Sequence, residues 1–459
     1  MHDLHTKFKD EAEKIAFDEI HRNKIKFNIG RYDAAVEKGK AQFCDMDLAK
    51  DRAGSIKFKV VNELDKYLTE FEMNFSARGG KVIWAKDGEE AVSEVLDILK
   101  RNEVKMVVKS KSMTTEEIEL NENLEKNHIE SVETDLGEYI VQLAGEKPYH
   151  IVTPAMHKSK ENVAELFNEK FGLPINSTPE EITYFVRKKL KDKFLTADAG
   201  ITGANFLIAD VGAIALTENE GNGFLSMSLP KIHIVIVGIE KIIPSINDLH
   251  LFWPLLAQHG TGQKLTVYNS VVLGPRQESE VDGPEEMYVI LLDNNRTELL
   301  AKKEQRRALS CIRCGACLNV CPIYKNIGGY TYDTTYSGPI GAVITPHLKG
   351  FEKYKHLSFA STLCGKCTEV CPVRINLHEL LLENRNESVK LKLYDTSEKM
   401  VMFAWKKLML HRKLIDFSSA KIKNIFLGKF FQKQWGSRRD LPKINEQSFH
   451  DWWKKERGV

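Results

Sequence analysis

Two short stretches constrain this chain more than anything else in it. The first reads Cys311-Ile312-Arg313-Cys314-Gly315-Ala316-Cys317-Leu318-Asn319-Val320-Cys321-Pro322, four cysteines spaced C-x2-C-x2-C-x3-C and closed by proline. The second, fifty residues on, reads Ser361-Thr362-Leu363-Cys364-Gly365-Lys366-Cys367-Thr368-Glu369-Val370-Cys371-Pro372 and superimposes on it without a gap. Only its first position differs, with Ser361 standing where the first run has Cys311. Thiolates at this spacing, ending in Cys-Pro, suit an iron–sulfur cluster. Structural zinc uses ligand pairs parted by a spacer, four to a site, and fits seven cysteines in two such runs poorly. A disulfide framework fits less well, because the chain is long and Met1-His2-Asp3-Leu4-His5 shows no secretory pattern.

In two-cluster ferredoxins the fourth cysteine of each run serves the cluster of the other run. Reach is the reason: three thiolates on one tight turn face one cluster, while the fourth has moved on with the chain. Cys311, Cys314, Cys317 and Cys371 are therefore expected to hold one [4Fe–4S] cluster. Cys321, Cys364 and Cys367 are expected to hold a second, which lacks a fourth protein thiolate. That second site is either [3Fe–4S], or [4Fe–4S] with Ser361, water, His356 or a partner's side chain on the odd iron. Gly315 and Gly365 let the backbone approach the inorganic sulfides. Pro322 and Pro372 stop each helical turn so that the last thiolate projects. The eighth cysteine, Cys44, stands alone and is given no role.

With 459 residues, 42% apolar and 28% charged, the chain has the length for more than one domain and the composition of a soluble globular protein. Its formal net charge of +2 points to no basic or acidic partner. No apolar run has the length to span a bilayer, and the expected location is the reducing cytoplasm. Residues 1–75 read as a helical region. Residues 76–303 alternate strand and helix, with strands at 81–85, 105–109, 129–133 and 148–153 and helices at 87–100 and 160–171. Ser112 or Thr114 caps one further helix, and Thr178-Pro179 starts another. Such alternation predicts an α/β layer with a largely parallel sheet. Further strands follow at 206–209, 212–217 and 233–238, the first two joined by a turn at Asp210-Val211-Gly212. The glycine-bearing acidic loop 218–223 then lies at a strand end, where open α/β sheets bind ligands. No nucleotide-binding glycine motif and no Ser-His-Asp or H-E-x-x-H arrangement is present, so no nucleotide cofactor is indicated and no catalytic residue is assigned.

Residues 304–389 form the cluster domain. Its segment 328–350, with five glycines and two prolines, predicts an irregular loop in which Tyr330, Tyr332 and Tyr336 shield a cluster from water. Residues 390–459 are basic and aromatic, with 17 Lys and Arg against 7 Asp and Glu. Met400, Phe403, Trp405, Phe426, Phe430, Trp435, Trp452 and Trp453 lie among those bases. This pattern predicts a helical arm docked on a partner subunit, with membrane-surface contact and a plain solvated helical tail as the alternatives. Nucleic acid is disfavoured, because no recognition module accompanies the charge.

The order of these parts resembles the lactate utilization protein B (LutB) family. The likeness is carried by Gly203-Ala204-Asn205-Phe206-Leu207-Ile208-Ala209-Asp210, by Gly212-Ala213-Ile214-Ala215, by the two cysteine runs and by the basic tail. It covers nearly the whole chain. The resemblance implies an α/β domain of the CoA-transferase and sugar-phosphate-isomerase type, then a two-cluster ferredoxin-like domain and a basic helical C-terminal region. It implies two [4Fe–4S] clusters on the same seven cysteines, the eighth ligand missing. It also implies companion proteins A and C, with which the family oxidises L-lactate to pyruvate as an electron carrier. Thr217-Glu218-Asn219-Glu220-Gly221 resembles the Glu-Asn-Gly element of some CoA-transferases, but Glu220 interrupts it and no thioester mechanism is expected. Two functions are compatible with these features. One is an electron-transfer subunit; the other is an enzyme that binds substrate at the 218–223 edge and uses the incompletely ligated cluster as a Lewis acid.

Overall fold

A computed structural model describes residues 4–411, 414, 418–435 and 440–458. Met1–Asp3, and the bases Arg412, Lys413, Arg438 and Arg439 of the tail, lie outside the described residues. The chain divides into two compact units, one running to Lys390 and the other from Leu391 onward.

The first unit is organised around strand Ile232–Gly238, buried along its whole length. It lies inside a six-stranded sheet, whose strands are numbered in chain order: β1 Lys81–Ala85, β2 Met106–Lys109, β3 Glu130–Glu133, β4 Ala199–Thr202, β7 Ile232–Gly238 and β10 Glu286–Leu292. Their order is β1-β10-β7-β4-β2-β3, with every pairing parallel. The alternation of elements along the sequence predicts this parallel sheet. A parallel sheet is covered on both faces, and its inner strands are therefore apolar at every position. Ile234 and Ile236 point to one side, against Val95, Leu99 and Leu124 of the flanking helices. Val235 and Val237 point to the other, against Phe71 and Phe75. Each such side chain contributes about 1.5–3 kcal/mol by leaving water.

A second sheet, of β5 Phe206–Ile208, β6 Ala213–Glu218, β8 Ile242–Ile243 and β9 Tyr268–Val272, runs in the order β8-β5-β6-β9. β5 and β6 are antiparallel across the expected turn, where the Gly212 amide donates to the Ala209 carbonyl at 3.3 Å. Leu207 and Ile214 face the large sheet. Phe206, Ile208, Ala213 and Ala215 face the cysteine runs, in one core with Cys314, Cys317, Cys321, Cys367 and Cys371. Helices Leu4–Ala16, Glu19–Gly39 and Met46–Asn62 wrap the same core, to which they contribute Phe8, Ile25, Ile29 and Ala53.

Of the two caps expected, Ser112 caps Met113–Glu117. Asp87, expected as the first residue of a helix, instead caps Gly88–Arg101. Thr178 and Glu181 form a capping box at the start of Pro179–Thr196.

Two expectations fail. Residues 148–153 form no strand; their backbone is satisfied locally. The Val152 and Thr153 amides donate to His150 Nδ1 at 3.1 and 3.2 Å, and the Tyr149 amide donates to the Pro154 carbonyl at 2.9 Å. Nor is 328–350 irregular throughout, since Gly338–Lys349 is a helix, ten of whose twelve residues are buried. Pro339 sits in its first turn, where a missing amide costs nothing.

The second unit contains helices Thr396–Leu410, Ala420–Trp435 and Phe449–Arg457. Phe403, Trp405, Phe426, Phe430, Trp435, Trp452 and Trp453 are all exposed within it. Among the described residues no helix is long and apolar enough to cross a membrane.

Candidate metal centre and adjoining cavity

The two cysteine runs adopt the same local fold. In the first, Arg313 (φ 60°) and Gly315 (φ 80°) are left-handed before the short helix Ala316–Asn319. In the second, Leu363 (φ 55°) and Gly365 (φ 80°) precede Lys366–Glu369. Each run thus coils its sulfurs toward one side. Gly315 is further required by crowding, because a Cβ there would lie 2.9 Å from Val152 Cγ2. At Gly365 no heavy atom stands within 4 Å, so only its φ asks for glycine.

The seven thiols of the runs fall into two groups by mutual electrostatic influence. Cys317 feels Cys311, Cys314 and Cys371, and Cys314 feels Cys311 and Cys371. Cys321 feels Cys364, and Cys367 feels Cys321 and Cys364. Each group draws on both runs. Cys314, Cys317, Cys321, Cys367 and Cys371 are buried, Cys311 is half-buried, and Cys364 reaches the surface. Cys44 is exposed and takes part in neither group.

Burial pushes the Cys314, Cys317 and Cys321 thiols up, and takes Cys367 and Cys371 to about 11. Backbone amides oppose that rise. Tyr324 donates to Cys321 Sγ at 3.5 Å and Ile375 to Cys371 Sγ at 3.3 Å, while Ala316, Ile340 and Thr368 serve Cys314, Cys317 and Cys367. Thiols so placed become thiolates when a cation sits among them. A single zinc ion would bring four sulfurs to within roughly 3.8 Å of one another. Among the described residues, the trio gathered within 4.8 Å in that fashion is Glu116, Glu133 and Glu138, not a cysteine set. There the Lys109 ammonium already lies 2.7 Å from Glu133 and 3.6 Å from Glu116. The donor set and its wider spacing fit a multi-iron core with sulfur ligands better than one ion.

Ser361 Oγ accepts from the Leu363 amide. His356 is buried, with ring contacts to His5, Phe8 and Tyr354. Tyr332 is buried beside Cys321 and Cys317. Tyr330 is 42% exposed, donates to the Lys147 carbonyl and packs on Tyr149 and His157. Tyr336 donates to Glu117 at 2.6 Å and carries the Arg313 guanidinium 4.6 Å above its ring.

Sequence reasoning missed the cations that surround the first group. Lys57, Lys241 and Arg313 act on Cys311, and Lys50 and Arg307 act on Cys371. The second group has Lys325 beside Cys321. Lys57 Nζ is buried and donates to the Glu240 and Ile242 carbonyls at 2.7 and 3.0 Å. Burial pulls Lys57 down to about 7, with Lys241 adding to it. Arg296 joins Glu117 (2.8 Å) to Glu240 (2.7 Å), and Arg313 approaches Glu240 at 3.3 Å. Burial alone would raise Glu240, but Arg296 and Arg313 overrule it and hold the carboxylate at about 2. Arg313 was visible inside the first run; the others are scattered along the chain and carry no local signal.

The acidic loop borders a cavity of about 440 Å3 that runs to Arg313 and Cys314. None of Cys321, Cys364 and Cys367 lines it. Both acids of the loop are engaged: Glu218 accepts the Gly223 and Phe224 amides at 2.8 and 2.7 Å, and Glu220 accepts the Leu136 amide at 3.0 Å. Beside them Asp135 accepts the Glu138 amide at 3.0 Å.

Fold and site together define an LUD-domain protein that carries a paired cysteine-run metal centre. Residues 68–292 match the LUD domain, and residues 307–375 match the 4Fe-4S dicluster domain. Lactate utilization protein B of Bacillus licheniformis is 40% identical over 98% of this chain and 98% of its own length. Lactate utilization protein B of Bacillus thuringiensis is 42% identical over 87% of this chain and 86% of its own. A solved structure, a DUF162 family protein from Deinococcus radiodurans, covers 50% of this chain and 98% of its own at 15% identity, with a TM-score of 0.26. The chain belongs to the lactate utilization protein B family.

Proposed function

We propose that the chain is the iron–sulfur electron-transfer component of a cytoplasmic system that oxidises L-lactate to pyruvate with companion proteins A and C. The observation that carries this reading is the sorting of seven thiols into two mixed groups, one enclosed and one reaching the surface at Cys364. Cys311, Cys314, Cys317 and Cys371 would hold one [4Fe–4S] cluster. Cys321, Cys364 and Cys367 would hold the second, with Ser361 or an outside ligand at its fourth position. Bound clusters supply one-electron carriers, and L-lactate releases two electrons and two protons on becoming pyruvate. The chain's own residues bury the first site, set amide donors on its sulfurs and ring it with cations, the means by which a protein adjusts potential. Residues 76–303 form the α/β part, 304–389 the cluster part, and 390–459 an arm for a companion protein.

The test is anaerobic purification of the full chain, with iron and sulfide quantitation and EPR before and after adding L-lactate, with and without the companions. Reduction that requires the companions is expected. Iron-free material fully competent in the reconstituted system would overturn the reading.

A further inference from the structure

Four tyrosines form a row from the second thiol group to the surface. Tyr324 and Tyr332 are buried beside Cys321; the Tyr324 amide donates to Cys321 Sγ at 3.5 Å, and Tyr332 also neighbours Cys317. Their ring centroids are 6.2 Å apart, Tyr149 follows 6.4 Å from Tyr324, and Tyr330 stands 4.9 Å from Tyr149. These are the separations of rings in contact. Exposure rises along the row, from 2% or less at the first three to 42% at Tyr330. Tyr149 is closely seated, since a Cβ on Gly328 would strike its hydroxyl and one on Gly329 its carbonyl oxygen.

The hydroxyls of the row differ in what they meet. Tyr324 donates to the Tyr149 carbonyl at 3.1 Å, an acceptor that takes up no proton. Tyr149 Oη lies 2.8 Å from His21 Nε2, and burial lowers the His21 pKa, which keeps that ring a neutral base. Tyr330 Oη lies 3.3 Å from Glu146 Oε2, itself 2.6 Å from His157 Nε2. The His157 ring packs on both outer tyrosines, at 4.9 Å from Tyr149 and 5.1 Å from Tyr330. A phenol that gives up an electron becomes a strong acid. An electron vacancy therefore crosses a ring that has no base and settles on one that has. The second thiol group is also the one that meets oxidants, because Cys364 reaches the surface. Oxidised thiolates pass from sulfenic to sulfinic and sulfonic acids, the last two steps being irreversible for most proteins.

We propose that this row carries an oxidising equivalent from the second thiol group out to Tyr330, sparing Cys321, Cys364 and Cys367. The proposal rests on the reading that those cysteines hold iron. Hydrogen peroxide takes one electron from reduced iron and splits into hydroxide and hydroxyl radical. The hydroxyl radical takes one electron from Tyr332 or Tyr324 and becomes hydroxide, while that ring keeps its proton. Tyr149 refills the ring with one electron and passes its own proton to His21. Tyr330 then returns an electron to Tyr149, His21 returns the proton, and the Tyr330 proton moves to Glu146. In sum, one hydroxyl radical and the Tyr330 phenol give one hydroxide, the Tyr330 phenoxyl radical and one protonated Glu146.

The experiment mixes the anaerobically prepared, cluster-loaded and dithionite-reduced full chain with hydrogen peroxide. Freeze-quench EPR detects tyrosyl radicals, and mass spectrometry locates spin-trap adducts and oxidised cysteines. A tyrosyl radical with its adduct on Tyr330 is expected, and neither from the iron-free chain. Tyr149→Phe should cut that adduct several-fold and raise sulfinic and sulfonic acid at Cys321, Cys364 and Cys367 several-fold, with iron and sulfide content before peroxide unchanged. Tyr330→Phe, a change at the surface, should leave the radical on Tyr149. Equal adduct on Tyr330 with and without Tyr149 overturns the path, since it marks direct attack from solvent. Unaltered cysteine oxidation in both variants overturns it too, as does an equal adduct from the iron-free chain. Iron at both thiol groups without any tyrosyl radical keeps the two-cluster reading and loses the path. A chain that holds no iron at Cys321, Cys364 and Cys367 loses that reading, and the path with it.

Discussion

Ser361 Oγ accepts the Leu363 amide at 3.1 Å, as Cys311 Sγ accepts the Arg313 amide at 3.4 Å. The hydroxyl therefore occupies the place in the second run that a thiol occupies in the first. Ser361→Cys should give the second group its fourth sulfur without moving the backbone. Its EPR signal should change and its potential fall, because a thiolate donates more charge than the ligand it replaces, while the first signal stays. Redox titration followed by EPR reads both.

The mixed grouping makes an asymmetric forecast for single cysteines. Cys371→Ser should abolish the cluster of Cys311, Cys314 and Cys317, although it lies in the other run. Cys364→Ser should remove only the second. Iron content and EPR of each variant distinguish this from run-by-run ligation, in which Cys371→Ser and Cys364→Ser would strike the same cluster.

Gly315 and Gly365 share a φ of 80° but not their surroundings. Gly365→Ala should cost roughly 1–2 kcal/mol, the conformational penalty of a left-handed residue with a Cβ. Gly315→Ala adds the clash with Val152 and should lose more stability and incorporate less iron. Thermal unfolding and iron quantitation of the pair make the comparison.

Arg296 lies between Glu117 and Glu240, and the side chains of all three are about 1% exposed. Arg296→Met removes the cation shared by two buried carboxylates, leaving Glu240 with Arg313 and Glu117 with the neutral donors Asn294 and Tyr336, and should destabilise the fold by about 3–5 kcal/mol. Urea unfolding measures the loss, and a simultaneous Glu117→Gln exchange should restore part of it.

His233, fully buried on β7 and bonded to Thr202 at 2.8 Å, is held neutral by burial, its pKa lowered to about 3. Its folded value lies below its unfolded one, so between about pH 6.5 and 3 the unfolded chain binds the extra proton. Stability is full above this window and falls as pH drops through it, by up to about 1.4 kcal/mol per unit from this group. His233→Gln should flatten that slope, as read from urea midpoints at pH 5.5 and 7.

What was legible in the sequence was whatever is local or periodic. The apolar run 233–238, the Ser112 and Thr178 caps and the Asp210-Val211-Gly212 turn each announce themselves within a few residues. So do the matched cysteine runs. The alternation of Tyr149 and Ile151 with His150 and Val152 imitates a strand, but the His150 ring takes two of its amides and the segment packs on Gly315, Gly328 and Gly329 as a loop. The helix Gly338–Lys349 hides behind its glycines, which serve close contacts such as Gly341 on the Tyr336 carbonyl. The cations Lys57, Lys241 and Arg307 converge from distant elements, and no spacing rule joins them.

The grouping of Cys371 with Cys311 also dictates an order of manufacture. A ribosome must add sixty residues after Cys311 before the sulfur that completes the enclosed set exists. Until then the nascent chain offers three sulfurs there and an unfinished pair of turns. Under the proposed ligation, metal loading of the inner centre would be a late event in synthesis, and a product truncated before Cys371 would not mature.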